Sequence, residues 1–178
     1  MKKVFFVILG IIISLCSFAQ KDSIAVSQMK QIGVYYFEGN NLKQISPIIP
    51  EGMKASGGLF KVKASVEFLG EKSDNILENP LEIYVFIPSE YSDRISIKQF
   101  RFIHLTPRKG NRKVTTVSGS IFGAKVGAKS QTMEVKKLSD ECYKIYLNEP
   151  IEEGCYGVFY NYGNGTPYKL YDFDIVNK

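Results

Sequence analysis

Few residues of this sequence are of a type and spacing to do chemistry. Asp172 and Asp174 stand two apart in the segment Tyr171–Ile175. In a strand that spacing turns both carboxylates to one face, opposite Tyr171, Phe173 and Ile175. Two such carboxylates can hold a hard cation or act as acid and base in hydrolysis; a solvated strand face explains the same spacing. His104 is the only imidazole, which excludes metal sites and mechanisms that need two histidines. It shares strand parity with Phe100 and Phe102, so a half-buried ring beside the core is expected. Catalysis would require a nucleophile or carboxylate partner for it.

Gly119, Gly123 and Gly127, with Lys125 and Lys129, superficially suggest a phosphate loop. That motif needs G-x-x-x-x-G-K-[ST] ahead of a helix. Here Ala128 follows the second glycine of the Gly123–Ser130 stretch and strands flank it, so a flexible loop is predicted. Nothing resembles a nucleophile elbow, a zincin helix or a calcium loop. No metal site and no cofactor are expected.

Two segments suit binding better than catalysis. Arg108-Lys109-Gly110-Asn111-Arg112-Lys113 gathers four cations about a Gly-Asn turn, and Arg108, Lys109 and Arg112 are candidate contacts for acidic glycans or lipid headgroups. Residues 160–168, Tyr-Asn-Tyr-Gly-Asn-Gly-Thr-Pro-Tyr, combine rigid amphipathic rings with adaptable hydrogen-bonding groups, the composition of binding loops. Tyr160, Tyr162, Asn164 and Tyr168 are the candidates there. A plain hairpin tip and tyrosines lying back on their own sheet are the alternatives.

The elements that must position these residues are strands. The chain has 178 residues, 44% hydrophobic and 13% aromatic, enough to bury one core. Gly33–Glu38, Leu42–Ile45, Leu59–Leu69, Ile83–Ile87, Ile97–Leu105, Lys113–Ile121, Thr132–Leu138, Tyr143–Leu147, Cys155–Tyr160 and Lys169–Ile175 all carry strand patterning. Phe60, Val62, Ala64, Val66 and Phe68 alternate with polar residues, a one-sided amphipathic strand. Ile83–Ile87 is apolar throughout, as a strand buried on both faces would be. Residues 21–31 fit a short helix or an extended segment. Short strands with Gly, Pro and Asn between them predict an all-β fold: one antiparallel β-sandwich, immunoglobulin-like or jelly-roll-like, over residues 20–178, or alternatively a partly open barrel.

Residues 1–19 read as a signal peptide. Lys2 and Lys3 precede an apolar run, and Ser17-Phe18-Ala19 places small residues for cleavage before Gln20. Val4 to Ala19 is shorter than the roughly 20 residues a membrane-spanning helix needs, so the membrane is expected to matter only through this transient segment. Leu15 before Cys16 does not fit a lipoprotein site. A periplasmic, secreted or cell-surface location follows. Without Lys2 and Lys3, 23 − 2 = 21 basic residues face 18 acidic ones, a net charge of +3 rather than +5. That is a modest excess, and nucleic acid is not an expected partner of an exported chain. Cys142 and Cys155 remain, and in an oxidising compartment two cysteines are expected to pair. A Tyr143–Leu147/Cys155–Tyr160 hairpin about Pro150–Gly154 would hold them too far apart, so pairing requires a tighter turn near Asn148-Glu149, a bulge or a crossing between sheets.

The order Asn79-Pro80 before Ile83–Ile87, Phe100–Leu105 with Arg108, Lys109 and Arg112 beyond it, Gly119 and Phe122-Gly123, Tyr143 with Ile145, Pro150–Gly154–Tyr156 and the closing Tyr171-Asp172-Phe173 resembles a loosely defined group of exported bacterial β-domain proteins of unassigned function. In that group a P-L-x-x-G-E-Y turn precedes a Y-D-F strand; here Cys155 replaces the Glu. The resemblance spans about residues 33–175 and implies the β fold and export, but no activity. The functional expectation is a non-catalytic binding or scaffolding module of the bacterial cell envelope, with an envelope protein or a glycan as partner. The alternatives are a hydrolase-type enzyme using Asp172 and Asp174, or a subunit completed by a partner strand against Ile83–Ile87.

Overall fold

The structure, a computed structural model, describes residues 20–58, 61–120, 123–147, 151–163 and 165–177. The expected signal segment, Asn164 and the turn at 148–150 lie outside them. A helix, α1, covers residues 20–28. The described strands are β1 (Gly33–Glu38), β2 (Asn41–Ile45), β3 (Gly52–Gly58), β4 (Lys61–Leu69), β5 (Ile76–Glu78), β6 (Glu82–Phe86), β7 (Phe100–Arg108), β8 (Asn111–Ser120), β9 (Gly123–Val126), β10 (Ser130–Gln131), β11 (Glu134–Lys137), β12 (Cys142–Tyr146), β13 (Gly154–Tyr160) and β14 (Leu170–Val176). They build an all-β sandwich of two sheets, neither closed into a barrel. One runs β11-β12-β6-β1-β2; the other runs β3-β4-β8-β7-β13-β14-β5, with β9 on β8 and β10 on β7. The pairing is antiparallel except for β14 with β5, which is parallel.

Period-2 alternation explains why the smaller sheet is apolar on both faces. Val34, Tyr36, Ile83, Val85 and Ile145 meet Phe102, Tyr156, Phe173 and Ile175 of the longer sheet in the central core. Tyr35, Tyr84, Phe86 and Cys142 point the other way and pack under Ala25 and Met29 of the N-terminal segment. Ile83–Ile87 is therefore buried on both faces, as its composition predicts. The second cover comes from the chain's own residues, so the apolar run needs no strand from a partner. Asp22 and Ala25 of α1, with Met29 just beyond its end, are spaced i, i+3, i+7 and face the sheet together, and burying Met29 at 1% exposure contributes about 2 kcal/mol.

The longer sheet also buries two faces. Beyond the central core, Val66, Phe68, Val114, Ile103, Leu105, Cys155, Phe159 and Leu170 form a second cluster, although all belong to this one sheet. Arg112 of β8 contacts Asp172 of β14 with β7 and β13 between them. In a flat sheet those strands would lie about 14 Å apart, so the sheet rolls over its own face. The roll is sharpened by a bulge where β8 shifts register against β4 between Ala64 and Ser65. Gly110 at φ +82° makes the tight β7–β8 turn.

Two local expectations are corrected, and β3, with Gly57-Gly58 at its end, is a strand outside the predicted set that pairs along β4. The Gly119–Ser130 stretch is not a free loop, because Gly123–Val126 pairs with β8. Tyr143–Leu147 and Cys155–Tyr160 do not form a hairpin; β12 pairs with β6 and β11, whereas β13 pairs with β7 and β14.

Asp22 fastens α1 to the sheet. Its carboxylate accepts from the Tyr84 hydroxyl at 3.0 Å and pairs with Lys136 and Lys144 at 3.1 Å each, and Lys144 also reaches Glu82 at 2.8 Å. Burial alone would raise the Asp22 pKa, but the two ammonium groups and the hydroxyl outweigh it and hold it below its ordinary 3.8. A carboxyl depressed in the folded state stabilises above its unfolded pKa and loses that contribution as pH falls through the folded value. Asp22→Asn should therefore cost about 1–2 kcal/mol in urea unfolding near neutral pH. The gap from the wild type should close as pH falls below about 4. A gap that stayed constant into acid would contradict this role.

Candidate functional site

The 160–168 segment leaves the sandwich between β13 and β14. Tyr160, opposite Phe100 in the ladder, packs edge-on against that ring at 5.4 Å, and its hydroxyl meets Gln99 Oε1 and the Arg94 carbonyl. These contacts anchor the loop to the sheet. Asn161 folds the loop locally, its Oδ1 accepting from the Gly163 and Gly165 amides at 3.0 and 2.8 Å. Gly165, at φ +67°, lies so close to Gly127 that a Cβ would stand 2.5 Å from the Gly127 Cα, and its carbonyl accepts from the Ala128 amide at 2.9 Å. Two glycines are thus required where the two loops touch. On this base Tyr162 sits edge-on to Tyr160 at 4.8 Å, with Tyr168 6.4 Å beyond. Tyr162 is 67% exposed and Tyr168 50%. The loop presents two rings of large contact area while their support is fixed, which limits the entropy lost on binding. The candidate Asn164 lies outside the described residues.

The basic turn divides. Arg108 and Lys109 are exposed, but Arg112, expected among the contacts, is 3% exposed. Its Nη1 meets Asp172, Nη2 donates to the Leu69 carbonyl at 3.0 Å and Nε to the Gly70 carbonyl at 3.1 Å. β8 alternation turns it inward with Val114, toward the second cluster. Lys113 faces outward, held below the ordinary lysine pKa first by partial desolvation and then by the Arg108 and Lys63 charges.

The Asp pair is not a solvated face. Asp172 is 3% exposed. Its carboxylate pairs with Arg112, and its carbonyl accepts from Ser73 Oγ at 3.0 Å and Asn75 Nδ2 at 3.1 Å. Asp174 accepts from the Ser73 amide at 3.3 Å. Both serve to dock residues 70–75, and the Asp172 carboxylate is nearly closed to solvent. The spacing does place both side chains on one face; what the sequence hid was that the sheet rolls to cover it. His104 keeps its predicted parity yet is exposed, because β7 there runs past the smaller sheet; its ring lies edge-on to Tyr156 at 5.0 Å. Among the described residues no cluster of three or more His, Cys, Asp and Glu is placed to hold a metal. The Asp22–Lys144–Glu82 cluster was missed, since its members come from three distant segments without a shared motif.

The expected disulfide is absent: Cys142 and Cys155 are both free and buried. Cys142 lies under α1 and Cys155 inside the rolled sheet, so the central core stands between them. Cys155 Sγ instead donates to the Glu71 carbonyl at 3.6 Å. Burial, the leading cause for both, pushes each thiol up to about 12. Comparison with known protein families, curated proteins and solved structures finds no match to this chain. The likeness to exported β-domains therefore rests on the quoted motifs alone.

Thiols so buried and so weakly acidic exchange slowly. Alkylation of the native protein should leave Cys142 and Cys155 unmodified, and denaturation without reductant should expose both. Intact mass reads the result, and failure to label in denaturant until reductant is added would restore the bridge.

Proposed function

We propose that the chain is an exported, non-catalytic binding or scaffolding module of the bacterial cell envelope, acting through the Tyr160–Tyr168 loop on an envelope protein or a glycan. The observation that carries the reading is the exposure of Tyr162 and Tyr168 on a loop pinned by Asn161 and by the Gly127–Gly165 contact. Loops at the end of a rigid sandwich vary without disturbing its core, and paired tyrosines there supply contact area at little entropic cost. Export is supported by the basic, apolar and small-residue regions of residues 1–19. Among the described residues no helix is long and apolar enough to cross a membrane. The hydrolase alternative is disfavoured by the burial of Asp172 against Arg112.

Replacing Tyr162 and Tyr168 with Ala should reduce capture of the partner from envelope extract severalfold, with the thermal midpoint within about 2 °C of the native one. Capture unchanged at a native midpoint would dismiss the loop. A midpoint several degrees lower would identify the tyrosines as packing residues.

A further inference from the structure

We propose that the outward face of β3, β4, β8 and β9, together with the cleft beside His104, is a second binding site, for a linear anionic polysaccharide. The register defines this face, because directly opposed residues of antiparallel strands share a side of the sheet. Lys54 opposes Ser65, which opposes Thr115. Ser56, Lys63, Ser118 and Lys125 form the next row, and Lys61 lies two residues from Lys63 on the same side. Glu67, Lys113 and Thr106 form another row, with Asn111 and Arg108 beyond.

The charge on this face is one-sided. Lys54, Lys61, Lys63, Arg108, Lys113 and Lys125 make six cations; Glu67 is the one carboxylate in these rows and is already paired with Lys54 at 2.5 Å. The face sums to 6 − 1 = +5. From residue 20 onward the chain has 21 basic and 18 acidic residues, or +3, so the remainder sums to 3 − 5 = −2. The protein's positive charge is concentrated on one face. Cations stand about 7 Å apart along a strand and about 10 Å apart across two, an array suited to charges in series rather than to one small anion. Ser56, Thr106, Thr115 and Ser118 supply hydroxyls between them.

At the edge of this face a cleft of about 440 Å³ is lined by His104, Thr106, Lys113, Lys129, Gln131 and Tyr156, with Glu152 as its one carboxylate against the two ammonium groups. Its size falls in the range of small-ligand sites, and it mixes cations with hydroxyl, amide and ring donors. A lipid surface is less well matched. Met53 and Val126, the most exposed apolar side chains of β3 and β9, oppose Val66 and Val117 and so lie on the reverse face, and Leu69, opposite Asn111 at one end of the cationic face, is a single apolar side chain rather than a patch.

The test immobilises polygalacturonate and, separately, neutral dextran and vesicles of phosphatidylglycerol. The protein is expected to bind polygalacturonate at about 50 mM salt, to release it as salt rises, and to ignore dextran. Lys63→Glu with Lys125→Glu should weaken binding about tenfold, while Lys30→Glu with Lys98→Glu, an equal charge change elsewhere, should weaken it less than about twofold. The Tyr162→Ala, Tyr168→Ala protein should bind polygalacturonate as the wild type does. Should the Lys63/Lys125 reversal lower the thermal midpoint, Lys63→Gln with Lys125→Gln replaces it, with a loss of about threefold or more expected. Equal losses in both reversal pairs, binding to the vesicles but not to polygalacturonate, or binding to neither would each overturn the proposal.

Discussion

The rolled sheet depends on one buried ion pair. Arg112 and Asp172 are each 3% exposed, and two charges taken from water are costly unless their remaining groups are satisfied. Here Arg112 uses its remaining donors on the Leu69 and Gly70 carbonyls, and beside the pair Ser73 and Asn75 donate to the Asp172 main-chain carbonyl. The pair thus ties β8, the chain at 69–75 and β14 together in one place. Removing either partner would leave the other charge buried and cost about 3–5 kcal/mol. Its net gain over an apolar pair is small by the same reasoning, so its effect is to select one shape of sheet.

That shape sets the layers. Because the longer sheet rolls, its inner face finds its own cover in Val66, Phe68 and Val114, and its outer face is left to meet the smaller sheet. The smaller sheet then has an apolar back, which the N-terminal segment closes through Ala25, Met29 and the Asp22 contacts. Each cysteine is sealed in a different layer. The surfaces proposed for partners are the tyrosine loop, where β13 turns into β14, and the lysine rows on β4 and β8.

Much of this was legible locally. Alternation located most strands within a few residues, and the unbroken Ile83–Ile87 run correctly implied two buried faces. The exposed tyrosines were legible too, because Gly and Asn between aromatics mark a turn whatever the fold. What escaped was long-range. Arg112 looks like its neighbours Arg108 and Lys109 until β8 alternation and the roll turn it inward. Asp172 and Asp174 look solvated until residues 70–75 fold over them. Cys142 and Cys155, thirteen positions apart, suggest a bridge until Cys142 turns away from the central core under α1 and Cys155 turns into the rolled sheet. The lysine rows were invisible because their members lie on four strands and meet only in register.

Hydrogen exchange of Arg112→Met under native conditions tests the role of the ion pair most directly. The side chain keeps its bulk and loses its charge and donors. If the pair closes the roll, the amides of Gly70, Ser73 and Asp174, which bond Gly110, Asp174 and Asn75, should exchange much faster than in the wild type. The amide of Ile87, bonded to Glu141 beside the smaller sheet, should keep its protection. Unchanged exchange at the three amides, or an equal loss at Ile87, would contradict it.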